Sequence, residues 1–197
     1  MGVLKNADKS AGYNRLSSGT FLNMNIFYTT IRRYSMVNTG KKKIVSLSRL
    51  KKLFQRIRRK KTIIFTNGCF DIIHAGHVRY LNKAKSLGDI LVVGLNSDSS
   101  VKKIKGEKRP IVPQKERAEV LSGLEAVDYV VLFNEPTPIK LIKAVLPNIL
   151  VKGADWASRE IVGADVVKAA GGKIARVKLV KGRSTTNIIK KILGLHQ

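Results

Sequence analysis

Two histidines three positions apart, His74 and His77, directly follow a short apolar run that is rich in β-branched residues. This run, residues 62–66, predicts a buried strand, and the pattern over residues 75–87 predicts a helix. Gly68 allows the backbone to turn between the two elements. The histidines therefore belong to a strand-to-helix loop, which in an open α/β sheet is an edge where ligands bind.

The residue types in this loop favour phosphate chemistry. A helix N-terminus offers unpaired backbone N–H groups and a positive dipole end, and imidazole nitrogens can donate to phosphate oxygens. Gly76, between the histidines, removes bulk so that a triphosphate can approach the backbone. In the alternative interpretation one histidine caps the helix and the other packs in the core. The preceding Gly-x-Phe-Asp favours ligand binding.

The composition is that of a globular domain with a tail. The 197 residues are 44% hydrophobic, and no apolar run approaches the ~18 residues that a membrane span needs. The single cysteine, Cys69, excludes an internal disulfide and is compatible with a reducing cytoplasm. We expect it to be a small packing residue rather than a nucleophile.

The formal charge of +25 raises the alternative of a basic nucleic-acid-binding module. Its distribution weakens that alternative, because residues 1–61 carry 16 basic residues and one acid, whereas residues 62–197 carry 22 and 12. The lysines are not interleaved with aromatic residues. We therefore expect a lysine-rich solvated surface and no specific nucleic-acid partner.

Two regions are predicted: a basic, disordered extension over residues 1–43 and a catalytic domain over residues 44–197. The first 40 residues are rich in Ser, Asn, Thr and Gly, and a targeting peptide is the alternative interpretation. Residues 44–60 predict a basic amphipathic helix with Ser46 as its N-cap. Such a helix can lie on a membrane, but packing against its own domain is the more common outcome.

From residue 62 onward, strands and helices alternate. This order predicts an α/β fold, a Rossmann-like doubly wound parallel five-stranded sheet with helices on both faces. The expected strands are 62–66, 90–95, 128–132, 148–152 and 174–179. The expected helices are 75–87, 113–123, 137–146, 159–170 and 185–193.

Polar clusters follow several of these strands. The cluster at 96–98 could hold substrate hydroxyls or a hydrated metal, or simply cap a helix. The charged segment 102–110 is interpreted as a flexible loop that closes over pyrophosphate, with a solvated connection as the alternative. Arg117 could reach the same place or pair with a surface acid. Ser184 is a candidate N-cap, in a hydroxyl-rich helix start at 184–186 that suits phosphate oxygens.

Four segments carry a resemblance to a known family: TNGCFDIIHAGHVRYL at 66–81, VGLNSD at 93–98, VKGADW at 151–156 and GRSTTNII at 182–189. They resemble the His-x-Gly-His nucleotidyltransferase superfamily, and most closely the D-glycero-β-D-manno-heptose 1-phosphate adenylyltransferases. The resemblance spans about residues 44–194. It implies that ATP and a sugar 1-phosphate react, with Mg²⁺, to give ADP-heptose and pyrophosphate for lipopolysaccharide inner-core synthesis in a bacterial cytoplasm.

The same resemblance implies a stand-alone transferase without the sugar kinase to which such domains are often fused. A cytidylyltransferase for glycerol 3-phosphate or a similar phosphoalcohol is the nearest alternative, because it shares the histidine motif and the Ser-Thr-Thr turn. A homo-oligomer is left open. No metal ligand is assigned, since Mg²⁺ commonly binds through substrate phosphates.

Site residues are carried over from the resemblance position by position. The implied catalytic residues are His74, His77 and Lys105. The implied nucleotide-binding residues are Thr66, Gly68, Phe70, Gly76, Lys103, Arg117, Gly153, Asp155, Ser184, Thr185 and Thr186. Asp71, Asn96 and Asp98 are candidate substrate-binding residues, and the role of Arg183 is left open.

Overall fold

The computed structural model describes residues 42–154, 161–180 and 182–195, and its centre is a sheet of five parallel strands. The strands are β1 (Ile63–Gly68), β2 (Ile90–Asn96), β3 (Tyr129–Phe133), β4 (Ile149–Gly153) and β5 (Lys173–Val177). Their spatial order is β3-β2-β1-β4-β5. The predicted five-stranded parallel sheet is confirmed.

Seven helices accompany the sheet within the described ranges. They are α1 (Leu47–Ile57), α2 (Ala75–Lys85), α3 (Asp98–Lys105), α4 (Gln114–Gly123), α5 (Ile139–Val145), α6 (Ala164–Ala169) and α7 (Thr185–Gly194). None of them is long and apolar enough to cross a membrane. Helix α6 is shorter than its prediction, and residues 159–160 of that prediction lie outside the described residues.

Helix α3 corrects the prediction of a flexible basic loop at 102–110. The Ser97 hydroxyl caps the helix by accepting from the backbone N–H of Ser100 at 3.2 Å, and Val101 is buried beneath it. The chain leaves the helix only at Gly106, whose φ of 93° suits glycine. A single buried apolar anchor among three lysines is too weak a pattern for sequence periodicity to reveal.

Alternate strand residues point to opposite faces, and each face has its own helices. Ile63 and Phe65 pack with α1, α5 and α6, whereas Ile64 packs with α2 and α4. Because both faces are covered by apolar side chains, the strands are apolar throughout rather than alternating with polar residues. The doubly wound arrangement is confirmed.

The first described residues form one border of the sheet. The backbone of Val130 in β3 donates to the Lys43 carbonyl at 2.9 Å and accepts from the Val45 N–H at 3.0 Å. The sequence places Lys43 in the expected extension, but these bonds join it to the sheet. Helix α1 follows, capped by Ser46 as predicted, and it buries Leu50 and Phe54 in its own domain.

The strand order changes direction between β1 and β4. Chain connections run from β1 towards β2 on one side and from β4 towards β5 on the other. In doubly wound sheets this point opens a crevice at the carboxyl ends of the strands. The loop with the two histidines leaves β1 at this place, and Gly153 ends β4 beside it.

Candidate active site

The two histidines form a stacked pair at the start of α2. His74 is the N-cap of the helix, and its Nδ1 accepts from the Gly76 N–H at 3.1 Å. The His74 and His77 ring centroids are 4.0 Å apart with an angle of 24° between the planes. His74 is thus a helix cap, which agrees with the alternative interpretation for one of the two histidines. Because its Nδ1 accepts a hydrogen bond, the proton of the neutral ring is on Nε2, where it can still be donated to a ligand.

Burial keeps both imidazoles uncharged near neutral pH. Burial, aided by the adjacent His74, lowers the pKa of His77 to about 4. Burial and the Arg183 charge also lower the pKa of His74. Within the described residues, the buried Nδ1 of His77 has no hydrogen-bond partner, an arrangement that costs about 1–3 kcal/mol in a protein interior. Such a cost is more often tolerated at functional sites.

Two glycines fix the positions of these rings. A Cβ on Gly76 would lie 2.9 Å from the His74 ring and 3.3 Å from the Cβ of Arg183. A Cβ on Gly68 would lie 3.0 Å from the ring of Phe70. The centroid of that ring is 5.3 Å from the centroid of the His77 ring. A larger side chain at position 76 would therefore displace the imidazole that caps α2.

The histidine pair borders two cavities at the carboxyl end of the sheet. The sheet-edge cavity, 450 Å³, is lined in part by Asn67, Asn96, Arg109, Thr137 and Lys152. The histidine cavity, 380 Å³, is lined in part by His74, Gly76, Gly153, Arg183 and Ser184. Phe70, His77, Lys105 and Thr185 line both cavities.

Most of the candidate site residues line these two cavities. They are Phe70, Asp71, His74, Gly76, His77, Asn96, Lys105, Gly153, Ser184, Thr185 and Thr186. The other described candidates are outside the lining: Thr66, Gly68, Asp98, Lys103 and Arg117. Asp155 lies outside the described residues. What each lining residue does in catalysis stays a prediction.

Thr66 and Lys103 differ from expectation for opposite reasons. Thr66 is fully buried, and its hydroxyl bonds to the Tyr80 hydroxyl at 2.8 Å, beneath the site. Lys103 is exposed on α3, whereas Lys105 at the end of the same helix lines both cavities. A helix fixes which of its lysines can reach the site, and a flexible loop would have left both free to do so.

Arg117 is buried and lines neither cavity, and its expected contact with phosphate stays a prediction. Its side chain has no exposed surface. Nε donates to the Val112 carbonyl at 2.9 Å, one terminal nitrogen donates to the Cys69 carbonyl, and the other donates to Asp98 Oδ1 at 2.7 Å. Asp98 is therefore a partner of Arg117 and lies outside the lining.

Asp71 lines the sheet-edge cavity, but its oxygens are already bound. Arg109 donates to it at 2.5 Å, and the backbone N–H groups of Ile111 and Val112 each donate at 2.8 Å. Although burial opposes ionisation, these three donors hold the pKa of Asp71 below its usual value. The carboxylate therefore fastens the 109–112 segment to the site instead of facing a substrate alone.

Sequence reasoning missed several lining residues, among them Asn67, Arg109, Thr137 and Lys152. Asn67 and Lys152 carry a signal that could have identified them, because each is a polar residue in a strand whose other residues on that face are apolar. Cys69 also lines the cavity, and burial raises the pKa of its thiol. A thiol of raised pKa is a weak nucleophile near pH 7, as expected from the sequence.

This arrangement is suited to moving a phosphoryl-type group between two bound molecules. Neutral imidazoles, a lysine and the N-terminus of α2 lie in the lining of these cavities. Ser184 and Thr185, at the start of α7, also line the histidine cavity. Within the described ranges no three His, Cys, Asp or Glu side chains converge as a metal site would need.

Comparison with known proteins gives consistent matches. The cytidylyltransferase-like family model matches residues 65–191. The bifunctional protein HldE of Geobacter metallireducens is 58% identical over 68% of this chain, and that of Wolinella succinogenes is 54% identical over 79%. These matches cover only 28% and 32% of the relatives' own lengths.

A solved structure adds a match over nearly its whole length. The lipopolysaccharide core biosynthesis protein from Thermoplasma volcanium is 30% identical, with a TM-score of 0.52. The match covers 62% of this chain and 99% of that one.

Proposed function

Because this chain belongs to the cytidylyltransferase-like family, we propose that it is a nucleotidyltransferase that moves AMP from ATP to D-glycero-β-D-manno-heptose 1-phosphate. The products are ADP-heptose and pyrophosphate. The observation that carries the proposal is the stacked histidine pair at a helix N-terminus: both rings line the histidine cavity, and His77 also lines the sheet-edge cavity. Two bound substrates can meet there.

The reaction is a direct in-line displacement. An oxygen of the sugar phosphate attacks the α-phosphorus of ATP, the bond to the bridging oxygen breaks, and pyrophosphate leaves. The attacking phosphate is already an anion, so no enzyme nucleophile and no general base are needed. The attacking and leaving oxygens must lie on opposite sides of the phosphorus. The proposal therefore places one substrate in each cavity, with His77 and Lys105, which line both cavities, beside the reacting phosphorus.

Charge that develops on the α-phosphate is stabilised by donors already in position. His74 and His77 donate as neutral imidazoles, and the ammonium group of Lys105 supplies the positive charge. Donors fixed before the reaction cost no reorganisation when charge moves, and they commonly account for most of the rate enhancement at sites of this kind. Ser184, Thr185 and the backbone at Gly153 hold the rest of the nucleotide in the histidine cavity.

Mg²⁺ would be held through the phosphates of ATP rather than by side chains of this site. The donor set of this site fits that role, since the buried carboxylate in the described cavity lining, Asp71, is already bound to Arg109 and two backbone N–H groups. Mg²⁺ commonly keeps several waters and uses substrate phosphates as ligands. When bound, the ion would neutralise charge on the leaving pyrophosphate, and the residues of the chain orient the reacting groups.

The heptose acceptor is supported by the sequence motifs and by likeness to a lipopolysaccharide core biosynthesis protein. We place the reaction in the cytoplasm, where ATP and sugar phosphates are available. We also retain the division into an extension and a catalytic domain, now with Lys43 in the domain. Formation of a homo-oligomer is a separate prediction that size-exclusion chromatography tests.

A cytidylyltransferase acting on glycerol 3-phosphate or a similar phosphoalcohol is the second candidate, favoured by the family model itself. The deciding measurement is pyrophosphate release, with ATP and CTP each paired with heptose 1-phosphate and with glycerol 3-phosphate. We expect turnover with ATP and the heptose. Turnover with only CTP and glycerol 3-phosphate would replace the first candidate by the second.

A further inference from the structure

Three neighbouring strands each contribute one polar side chain to the sheet-edge cavity. These are Asn96 from β2, Asn67 from β1 and Lys152 from β4. Side chains two positions apart in a strand point to the same face of the sheet. The three polar side chains therefore share a face with Val92, Phe65 and Leu150 of the same strands, which pack in the core with α1, α5 and α6. The apolar face of the sheet thus becomes polar at its carboxyl end.

This polar face is on the opposite side of the sheet from the helix that carries the histidines. Helix α2 packs with Ile64, Val93 and Val151, whose side chains point the other way. Lys152 therefore lies on the α5 and α6 side of the sheet, and it lines the sheet-edge cavity but not the histidine cavity. The proposed function places the triphosphate at the N-terminus of α2, in the histidine cavity.

Lys152 is held in place by a neighbour. Its Nζ donates to Asn67 Oδ1 at 2.5 Å, and Gly94 leaves the space for the Asn67 side chain. A Cβ on Gly94 would lie 2.8 Å from the ring of Phe65 and 3.2 Å from the Cβ of Asn67. An ammonium held in this way lines the cavity in a fixed position, so it loses little conformational freedom when a ligand binds.

The rest of the cavity is rich in donors as well. The sheet-edge cavity of 450 Å³ is lined, besides Lys152, by Arg109, Thr137 and the two asparagines. Among the described lining residues the one carboxylate, Asp71, already accepts from Arg109 and from backbone N–H groups. Cations, amides and a hydroxyl around a space of this size match a small molecule that carries a phosphate and several hydroxyl groups.

We propose that Lys152, positioned by Asn67, binds the acceptor in the sheet-edge cavity and favours a hydroxyl-rich sugar phosphate over a small phosphoalcohol. This assignment rests on the proposed function, since it deepens the acceptor half of that reaction. Lys152 contacts the acceptor and not the nucleotide. Its loss should therefore weaken acceptor use alone.

The kinetic test compares Lys152→Met with Lys168→Met, an identical change at an exposed lysine on α6. Loss of a charge-assisted hydrogen bond should raise the KM for heptose 1-phosphate about tenfold or more in Lys152→Met, with the KM for ATP unchanged. Preference for the sugar phosphate over glycerol 3-phosphate should fall with it. Lys168→Met should match the unmodified protein. An unchanged acceptor KM, or an equal rise in both KM values, would overturn the assignment.

A binding measurement separates this assignment from the proposed function. Calorimetry would follow mannose 1-phosphate as it binds to the protein saturated with a non-hydrolysable ATP analogue. We expect Lys152→Met to lose the sugar phosphate and keep the nucleotide. If the unmodified protein binds both but releases no pyrophosphate with any acceptor, the proposed function fails while the acceptor site stands.

If the unmodified protein binds the nucleotide but no sugar phosphate, the acceptor site itself is wrong. Thr137→Val provides a second variant should Lys152→Met fail to fold, because Thr137 is exposed in the same cavity lining. It should weaken sugar-phosphate binding and leave nucleotide binding intact. Equal binding by Thr137→Val and the unmodified protein would then count against a sugar phosphate in this cavity.

Discussion

His77 is the residue on which the proposed chemistry most directly depends. It is packed between His74 and Phe70 and lines both cavities. Removing one preorganised donor from a comparable site costs about 10²–10³ in kcat. We expect His77→Ala to lose turnover on that scale and to keep its far-ultraviolet circular dichroism. Near-normal turnover in a folded His74→Ala/His77→Ala double variant would remove the pair from the mechanism.

The lowered pKa of His77 predicts a pH-dependent stability. A folded-state pKa of about 4 lies below that of an exposed histidine, so the unfolded chain binds the proton more readily. The free energy of unfolding should therefore fall as the pH drops from about 6.5 towards 4. Denaturant titrations across this window test the sign. His77→Phe should show a weaker dependence, and an identical slope in both proteins would contradict it.

Gly76 offers a residue-scale test of geometry without removing any reacting group. A Cβ at this position would lie 2.9 Å from the His74 ring, so Gly76→Ala should displace that imidazole. A misplacement of about 1 Å can cost about a hundredfold in rate, and we expect a loss of kcat approaching that value. Gly123→Ala is the matched control, since a Cβ there meets nothing within 4 Å. Equal kcat values in the two variants would show that the His74 position is unimportant.

At the scale of elements, Arg117 joins three segments that surround the site: the loop after β1, the 109–112 segment and the start of α3. Removing its guanidinium leaves the Val112 and Cys69 carbonyls without this donor, and an unsatisfied buried polar group costs about 1–3 kcal/mol. Arg117→Met should therefore lower the free energy of unfolding by about 2 kcal/mol or more, measured by urea denaturation. Arg59→Met, on the surface next to α1, should leave it nearly unchanged. A small effect at Arg117 would contradict its role as a connector.

How far the sequence predicted these elements depended on local signals. The sequence predicts β1, its glycine turn and the histidine helix, because apolar runs, glycines and helix caps are signals that span only a few residues. Helix α3 was not predicted, since its buried apolar anchor, Val101, sits among lysines. The hydrogen-bond partners of Arg117 could not be predicted either, because Cys69 and Asp98 are 48 and 19 positions away in the sequence. Lys152 and Asn67 meet only through the register of separate strands.

At the scale of the whole molecule, the charge of +25 is uneven: residues 1–41 carry six basic residues and one acid, and α1 carries four basic residues and no acid. We expect removal of residues 1–41 to leave kcat and both KM values unchanged, because Lys43 and the elements after it build the described site. Any retention on heparin should weaken and elute at lower salt. Tight duplex binding that survives the truncation would support the nucleic-acid alternative instead.

The short pairing of Lys43 and Val45 with β3 also covers an edge strand that could otherwise pair with a second copy of the protein. β3 is the outer strand on that side, and an outer strand with open N–H and carbonyl groups can recruit a strand from another chain. Two backbone bonds to Val130 occupy that border near the start of β3. A chain shortened beyond residue 45 would uncover it, and we expect such a protein to lose solubility before it loses its catalytic geometry.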